Sequence, residues 1–223
     1  MCGRFTLFDS ADSVGERFGL AETPSLSPRY NIAPSQTVSA VRLPPGGGAR
    51  ELVFLRWGLV PSWAKDPAIG NRMINARAET AADKPAFRVA IRRRRCLVPA
   101  DGFYEWKRVN GRKQPYYIRL RDLAVFAFAG LWESWEGPGG ASVESCALLT
   151  TGPNDLLLPI HDRMPVILSP RDYELWLSPK EQDPKALAPL LRPYPPEGMT
   201  VFPVGIAVNN PKTDTPALIE PLR

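Results

Sequence analysis

The chain has few of the residues that build metal sites and covalent frameworks. Its three cysteines, Cys2, Cys96 and Cys146, are scattered over 223 residues with no CxxC pair. Neither a disulfide framework nor a zinc knuckle is expected from that spacing. Cys96 and Cys146 lie in the apolar runs Cys96-Leu97-Val98 and Cys146-Ala147-Leu148-Leu149, where a cysteine acts as a small core residue. His161 is the single histidine. Without a second imidazole, no metal site is expected, and no cofactor is called for. Long hydrophobic runs are also missing, so no membrane partner is expected. Met1-Cys2-Gly3-Arg4-Phe5-Thr6 lacks the basic-then-apolar layout of a signal peptide. These absences point to a cytoplasmic protein. No internal repeat is found, and no loop has the length of an interdomain linker, so residues 1–223 are read as one domain.

Much of what is present is ordinary for a globular chain: 44% hydrophobic and 23% charged residues. The net charge of +5 carries more information, because arginine greatly outnumbers lysine. A guanidinium fork binds phosphate bidentately, which favours nucleic acid as a partner. A genome biased toward arginine codons would give the same surplus, so charge alone decides little.

Residues 10–18 read as a short helix opened by Asp9 or Ser10 and closed by Gly19. Strands are expected over 37–43, 50–57, 96–98, 102–108, 114–120, 125–132, 144–151 and 199–208, with Asn110-Gly111 as a tight hairpin turn. Residues 44–48 and 135–142 read as Gly/Pro loops. Helices are expected over 84–94, from Ser169-Pro170 through Leu177, and over 184–191. Strands dominate without regular strand–helix alternation. The expected fold is therefore α+β, mostly antiparallel sheet, barrel-like, with peripheral helices.

Cys2 has the most distinctive chemistry. Aminopeptidases remove Met1 when a small residue follows it, and the product is a 1,2-aminothiol. An α-amine titrates near pH 8, so a fraction is neutral at pH 7, and nearby Arg4 lowers its pKa further. The neutral amine attacks an aldehyde to give an imine, and the thiol then closes a thiazolidine ring. From position alone, a frayed terminus accounts for Cys2 equally well. Glu105, flanked by aromatics in Phe103-Tyr104-Glu105-Trp106-Lys107, is a candidate acid–base group; its plainer role is a surface ion pair with Lys107. His161 sits between prolines with Asp162 and Arg163. It reads as a proton shuttle or as a structural histidine bonded to a carbonyl. Asn75-Ala76-Arg77-Ala78-Glu79-Thr80 offers an amide and a guanidinium, or a capped turn. Trp57 and Trp63 flank a Gly/Pro loop and are either core residues or a platform for an unpaired base. The run Arg92-Arg93-Arg94-Arg95 reads as a DNA patch or a solvated face.

Six segments, in order, resemble the SOS-response-associated peptidase (SRAP) family of abasic-site sensors. They are Met1 to Phe5, Tyr30 to Pro34, Trp57 to Trp63, Asn75 to Thr80, Ala100 to Trp106 and Ile160 to Pro165. The resemblance implies an abasic-site DNA–protein crosslinking protein with accompanying lyase and self-directed peptidase activity. Cys2 would form the thiazolidine with the opened sugar, shielding the lesion in the DNA damage response. Glu105 would act as general acid–base, His161 would hold and protonate sugar oxygens, and Asn75 would orient the amine or the sugar. Arg4, Arg77 and Arg163 would grip phosphates, Trp63 would pack on the nucleic acid, and Pro34 would act as a wedge where duplex begins. Thr150 matches a backbone-contact position. Some relatives carry a second tryptophan where Ala64 stands here. The implied partner is single-stranded DNA carrying abasic sites, including junctions with duplex, bound by a monomer associated with the nucleoid when acting. Three alternatives remain at this stage. Met-Cys-Gly also opens N-terminal-nucleophile amidotransferases. A protease is another reading, although no Ser-His-Asp set or metal motif is visible. The third is a non-covalent DNA-binding module.

Overall fold

Strand-forming residues dominate the chain, and in a computed structural model that describes residues 2–222 they build two sheets. Among the described residues the strands are β1 (Phe5–Leu7), β2 (Arg29–Ile32), β3 (Thr37–Arg42), β4 (Glu51–Trp57), β5 (Asn75–Arg77), β6 (Arg95–Ala100), β7 (Gly102–Val109), β8 (Arg112–Leu120), β9 (Phe126–Glu136), β10 (Ser142–Thr151), β11 (Met164–Pro165), β12 (Ile167–Leu168) and β13 (Met199–Pro203). Four short helices lie among them: α1 (Ala11–Phe18), α2 (Ala90–Arg93), α3 (Tyr173–Leu177) and α4 (Pro184–Leu187). No helix among the described residues is long and apolar enough to cross a membrane.

The first sheet runs β13-β8-β7-β1-β2 and is antiparallel throughout. The second closes on itself. β4, β3, β6, β9 and β10 form a ring because β10 pairs with β9 on one side and with β4 on the other. The β10–β4 seam is parallel, through Ser145↔Arg56 and Cys146↔Trp57. Beyond it β5 continues the parallel pairing on β10, from Leu148↔Asn75 to Thr150↔Arg77. Closure removes the open edges that a flat sheet would expose.

Phe5 joins the two sheets. Its ring meets Trp57 edge-on at 5.1 Å and Phe128 at 5.6 Å, an arrangement that aromatic quadrupoles favour. Phe5 also pairs with Phe103 and Ile32 in the first sheet. Phe5 and Thr6 are thereby fixed against β7.

Local chemistry explains several expected elements. Ser10 caps α1 by accepting from the Ser13 amide at 3.1 Å, and Gly19 ends the helix with φ 64°. Asn110 and Gly111 both take positive φ, 50° and 78°, as a two-residue hairpin turn requires. Other expectations differ from the structure. Residues 84–89 form successive turns, with Phe87 and Arg88 both donating to the Lys84 carbonyl, and only Ala90–Arg93 is regular α-helix. β9 continues through Trp135, whose indole donates to the Ala64 carbonyl at 2.7 Å, so the loop shrinks to 137–141. β13 stops at Pro203, which has no N–H for a ladder, and Ile206–Asn209 turns as 3-10 helix.

Candidate active site

The fold brings Cys2, Asn75, Glu105 and His161 together. The Tyr104 amide donates to the Arg4 carbonyl at 3.0 Å, which extends the β1–β7 pairing toward the start of the chain. Cys2 is fully buried beside β7. Asn75, at the start of β5, donates from Nδ2 to the Cys2 carbonyl at 2.8 Å. That amide reaches Cys2 only because β10 carries β5 into place. The other end of the Asn75 amide, Oδ1, is buried with no partner among the described residues. A buried acceptor left in that state is costly unless a donor arrives.

Glu105 points inward from β7 and is buried. Removal from water pushes its carboxyl up to about 7. Burial also holds the Cys2 thiol well above its ordinary value, and the Glu105 charge adds to that rise. His161 faces Glu105, with Nε2 at 3.9 Å from Oε2. Its other nitrogen, Nδ1, accepts the Arg163 amide hydrogen at 3.0 Å. A backbone N–H only donates, so in the neutral ring the proton sits on Nε2, toward Glu105. The exposed Asp162 carboxylate lies 3.0 Å from Nδ1 and favours imidazolium. Burial outweighs it, and the His161 pKa falls below its ordinary value. The site therefore pairs a carboxyl that is half-protonated near neutrality with an imidazole kept neutral, a combination suited to moving protons at pH 7.

The other expected site residues have different settings. Arg163 gives both guanidinium nitrogens to Glu79, at 2.7 and 2.8 Å, and one of them also to the Thr150 carbonyl at 2.6 Å. Thr150 is buried beneath it. Arg77 is exposed, two residues along β5 from Asn75. Arg4 donates to Asn31 Oδ1 at 2.8 Å and to the Val208 carbonyl at 2.7 Å. Pro34 and Arg4 line one open groove. Trp63 is 58% exposed, whereas Trp57 is fully buried. In the arginine run, Arg95 is buried and its guanidinium binds backbone carbonyls, including those of Ile91 and Arg92. Cys96 and Cys146 are buried and free, with the Cys146 thiol pushed up to about 12 by burial. Among the described residues no group of His, Cys, Asp and Glu could hold a metal ion.

Sequence reasoning did not single out two residues that shape this site. Glu79 lies inside a segment already noted, and its carboxylate clamps Arg163; the two are 84 residues apart, so no local pattern pairs them. Asn31 holds the C-terminal segment by donating to the carbonyls of Thr213 at 2.7 Å and Asn210 at 3.0 Å. No sequence pattern signals such a long-range role.

Comparison with known proteins follows this geometry. The family model for SOS response associated peptidase (SRAP) matches residues 1–211. A Bacillus subtilis protein, abasic site processing protein YoqW, is 47% identical over 99% of both chains. Abasic site processing protein HMCES of Xenopus tropicalis is 32% identical over 87% of this chain and 66% of its own. A crystal structure of a protein from Bacteroides thetaiotaomicron superposes with a TM-score of 0.89 at 27% identity, over the whole of both chains.

Proposed function

The chain belongs to the SOS response associated peptidase (SRAP) family, and from that premise we propose that it captures abasic sites in single-stranded DNA through Cys2 once Met1 has been removed. The observation that carries this reading is the convergence of Glu105 and His161 on a buried Cys2 whose carbonyl is held by Asn75.

An abasic sugar is mostly a closed hemiacetal. The Glu105 carboxylate takes the proton of the anomeric hydroxyl and returns it to the ring oxygen, which His161 holds by a hydrogen bond from Nε2–H, and the aldehyde opens. The neutral Cys2 amine adds to the carbonyl carbon, and water leaves to give an imine. The thiol sulfur then adds to the imine carbon, and its proton ends on nitrogen. This last step needs a base, because burial keeps the thiol protonated. Glu105, pushed up to about 7, can accept that proton and pass it to the nitrogen, which returns the carboxylate to its starting state. The enclosure supplies proximity, the largest advantage such a capture has over solution. Arg77, Arg163 and Arg4 are the proposed phosphate contacts, with Trp63 as the stacking surface, Pro34 as the wedge and Thr150 as the support under Arg163. A lesion in single-stranded DNA needs no unpairing, which favours that substrate. Lyase and self-directed peptidase activity belong to the same proposal, with peptidase action confined to the residue before Cys2. An amidotransferase reading is less well supported, because it needs a ready thiolate.

The test is incubation of the Met-processed protein with single-stranded DNA carrying one abasic site, followed by denaturing electrophoresis. An SDS-resistant adduct is expected, absent in Cys2→Ala and absent with intact DNA. An adduct that persists in Cys2→Ala overturns the reading.

A further inference from the structure

We infer that the β7–β8 hairpin is a nucleic-acid arm, in which Arg108 and Lys113 hold the phosphodiester strand that runs from the groove beside Gly3. This rests on the reading of the protein as a DNA-binding one and adds a contact surface to it.

The hairpin's composition is one-sided. Residues 106–121 contain Lys107, Arg108, Arg112, Lys113, Arg119 and Arg121 and no carboxylate. The register places Arg108 directly opposite Lys113, so two cations share one face at the closest cross-strand spacing. Such a pair destabilises a hairpin. Some cations on the barrel do have acidic partners: Arg42 with Glu51 and Glu144, Arg94 with Glu133, Arg163 with Glu79. Among the described residues, neither Arg108 nor Lys113 has a carboxylate within ion-pair distance, and both are exposed. Like charges set together and left open to solvent are suited to an anionic partner.

The position of the pair identifies that partner. Trp106 lies on the same face of β7 as Arg108, two residues before it. With Lys113 it lines an open groove of about 380 Å³ whose remaining wall is Gly3, Arg4, Pro34 and Asn209. Gly3 is the neighbour of Cys2, so the groove starts one residue from the reactive group. The wall contains two cations and no carboxylate. The Trp106 indole is fixed by donating to Asn209 Oδ1 at 2.7 Å, so an aromatic face is held there without further ordering cost. From Trp106 to Arg108 the strand adds about 7 Å at roughly 3.3 Å per residue. That places the pair at the edge of the groove, about one nucleotide from the indole, with Lys113 in its wall. A fixed aromatic followed by cations is the pattern that binds single strands without sequence preference.

The experiment uses fluorescence anisotropy of an undamaged single-stranded oligonucleotide with the full chain and with Arg108→Gln/Lys113→Gln, over a range of salt concentrations. Loss of two phosphate contacts should make the slope of log affinity against log salt shallower by about 1.4, and weaken binding about 25-fold at 0.1 M salt. A paired Arg171→Gln/Lys185→Gln variant, on the surface away from this groove, should shift neither quantity by more than twofold. As a measurement without substitution, chemical acetylation of Lys113 in the wild-type chain should be suppressed by the oligonucleotide. The inference is overturned if the hairpin variant keeps the wild-type slope and affinity, or if Lys113 stays equally reactive. Undamaged DNA forms no adduct, so this outcome is independent of whether Cys2 crosslinks.

Discussion

Asp101 and Glu105 stand four residues apart, one just before β7 and one within it. Both are buried carboxyls, and burial raises both, Asp101 to about 6 and Glu105 to about 7. Their surroundings separate them. Asp101 accepts the backbone amides of Phe8 and Asp9 and so fastens the turn between β1 and α1. Its hydrogen-bonding capacity is spent on the fold. Glu105 instead faces His161, and its charge acts on the Cys2 thiol. A displaced pKa is thus shared by a structural carboxyl and a chemical one. The reactive partners within reach tell them apart.

The widest split between the two should appear in adduct formation. Glu105→Gln should slow capture of an abasic oligonucleotide at least 100-fold, within the usual range for a lost acid–base group, while the thermal midpoint stays near that of wild type. The pH dependence sharpens this. Folded Glu105 keeps a proton between its unfolded value of 4.5 and about 7 that the unfolded chain has already lost. Stability therefore falls as pH rises through that window. Urea midpoints should show the slope in wild type and lose that part of it in Glu105→Gln. The corresponding window for Asp101 runs from 3.8 to about 6. A Glu105→Gln protein that captures aldehydes at the wild-type rate would break the comparison.

Asp101→Ala should show the opposite profile. It strands the Phe8 and Asp9 amides, at a cost of about 2 kcal/mol. For a chain of this length that lowers Tm by about 4–8 °C. Capture well below the new Tm should stay within threefold of wild type. Calorimetry and single-turnover capture on one preparation decide this. The smallest effect is expected at Glu79. Glu79→Gln loosens the Arg163 side chain, and with it the backbone amide that fixes the His161 ring. Capture should slow about threefold, and Glu79→Asp should recover part of the loss. No change in either variant would mean that the clamp does not reach His161.

The contrast also shows what could be read from the sequence. Alternation and turn chemistry are local, so β3, β4, β7 and β8, the α1 caps and the Asn110-Gly111 turn were legible. The barrel was legible only as a tendency, because closure depends on the parallel β10–β4 contact between residues about 90 apart. β5 was hidden: Asn75–Arg77 is three residues long and is strand only because β10 lies beside it. The family resemblance pointed to Cys2, Asn75, Glu105 and His161 together, whereas each alone had an equally good plain explanation. Neither Asp101 nor Glu79 could be ranked from sequence, since burial and partner geometry give them their roles.

The parallel seam also sets the order in which the molecule is assembled. Hairpins such as β7–β8 close early because their ends are near in sequence, and pairings across long separations come late. Asn75 takes its place only when β10 reaches β5, and His161 follows β10 in the chain. A half-folded chain in which β1 has met β7 therefore carries Cys2 beside Glu105 but without Asn75 or His161. Competence arrives only once β10 is in place, and loss of its pairings would strip the reactive corner of its amide and its imidazole together.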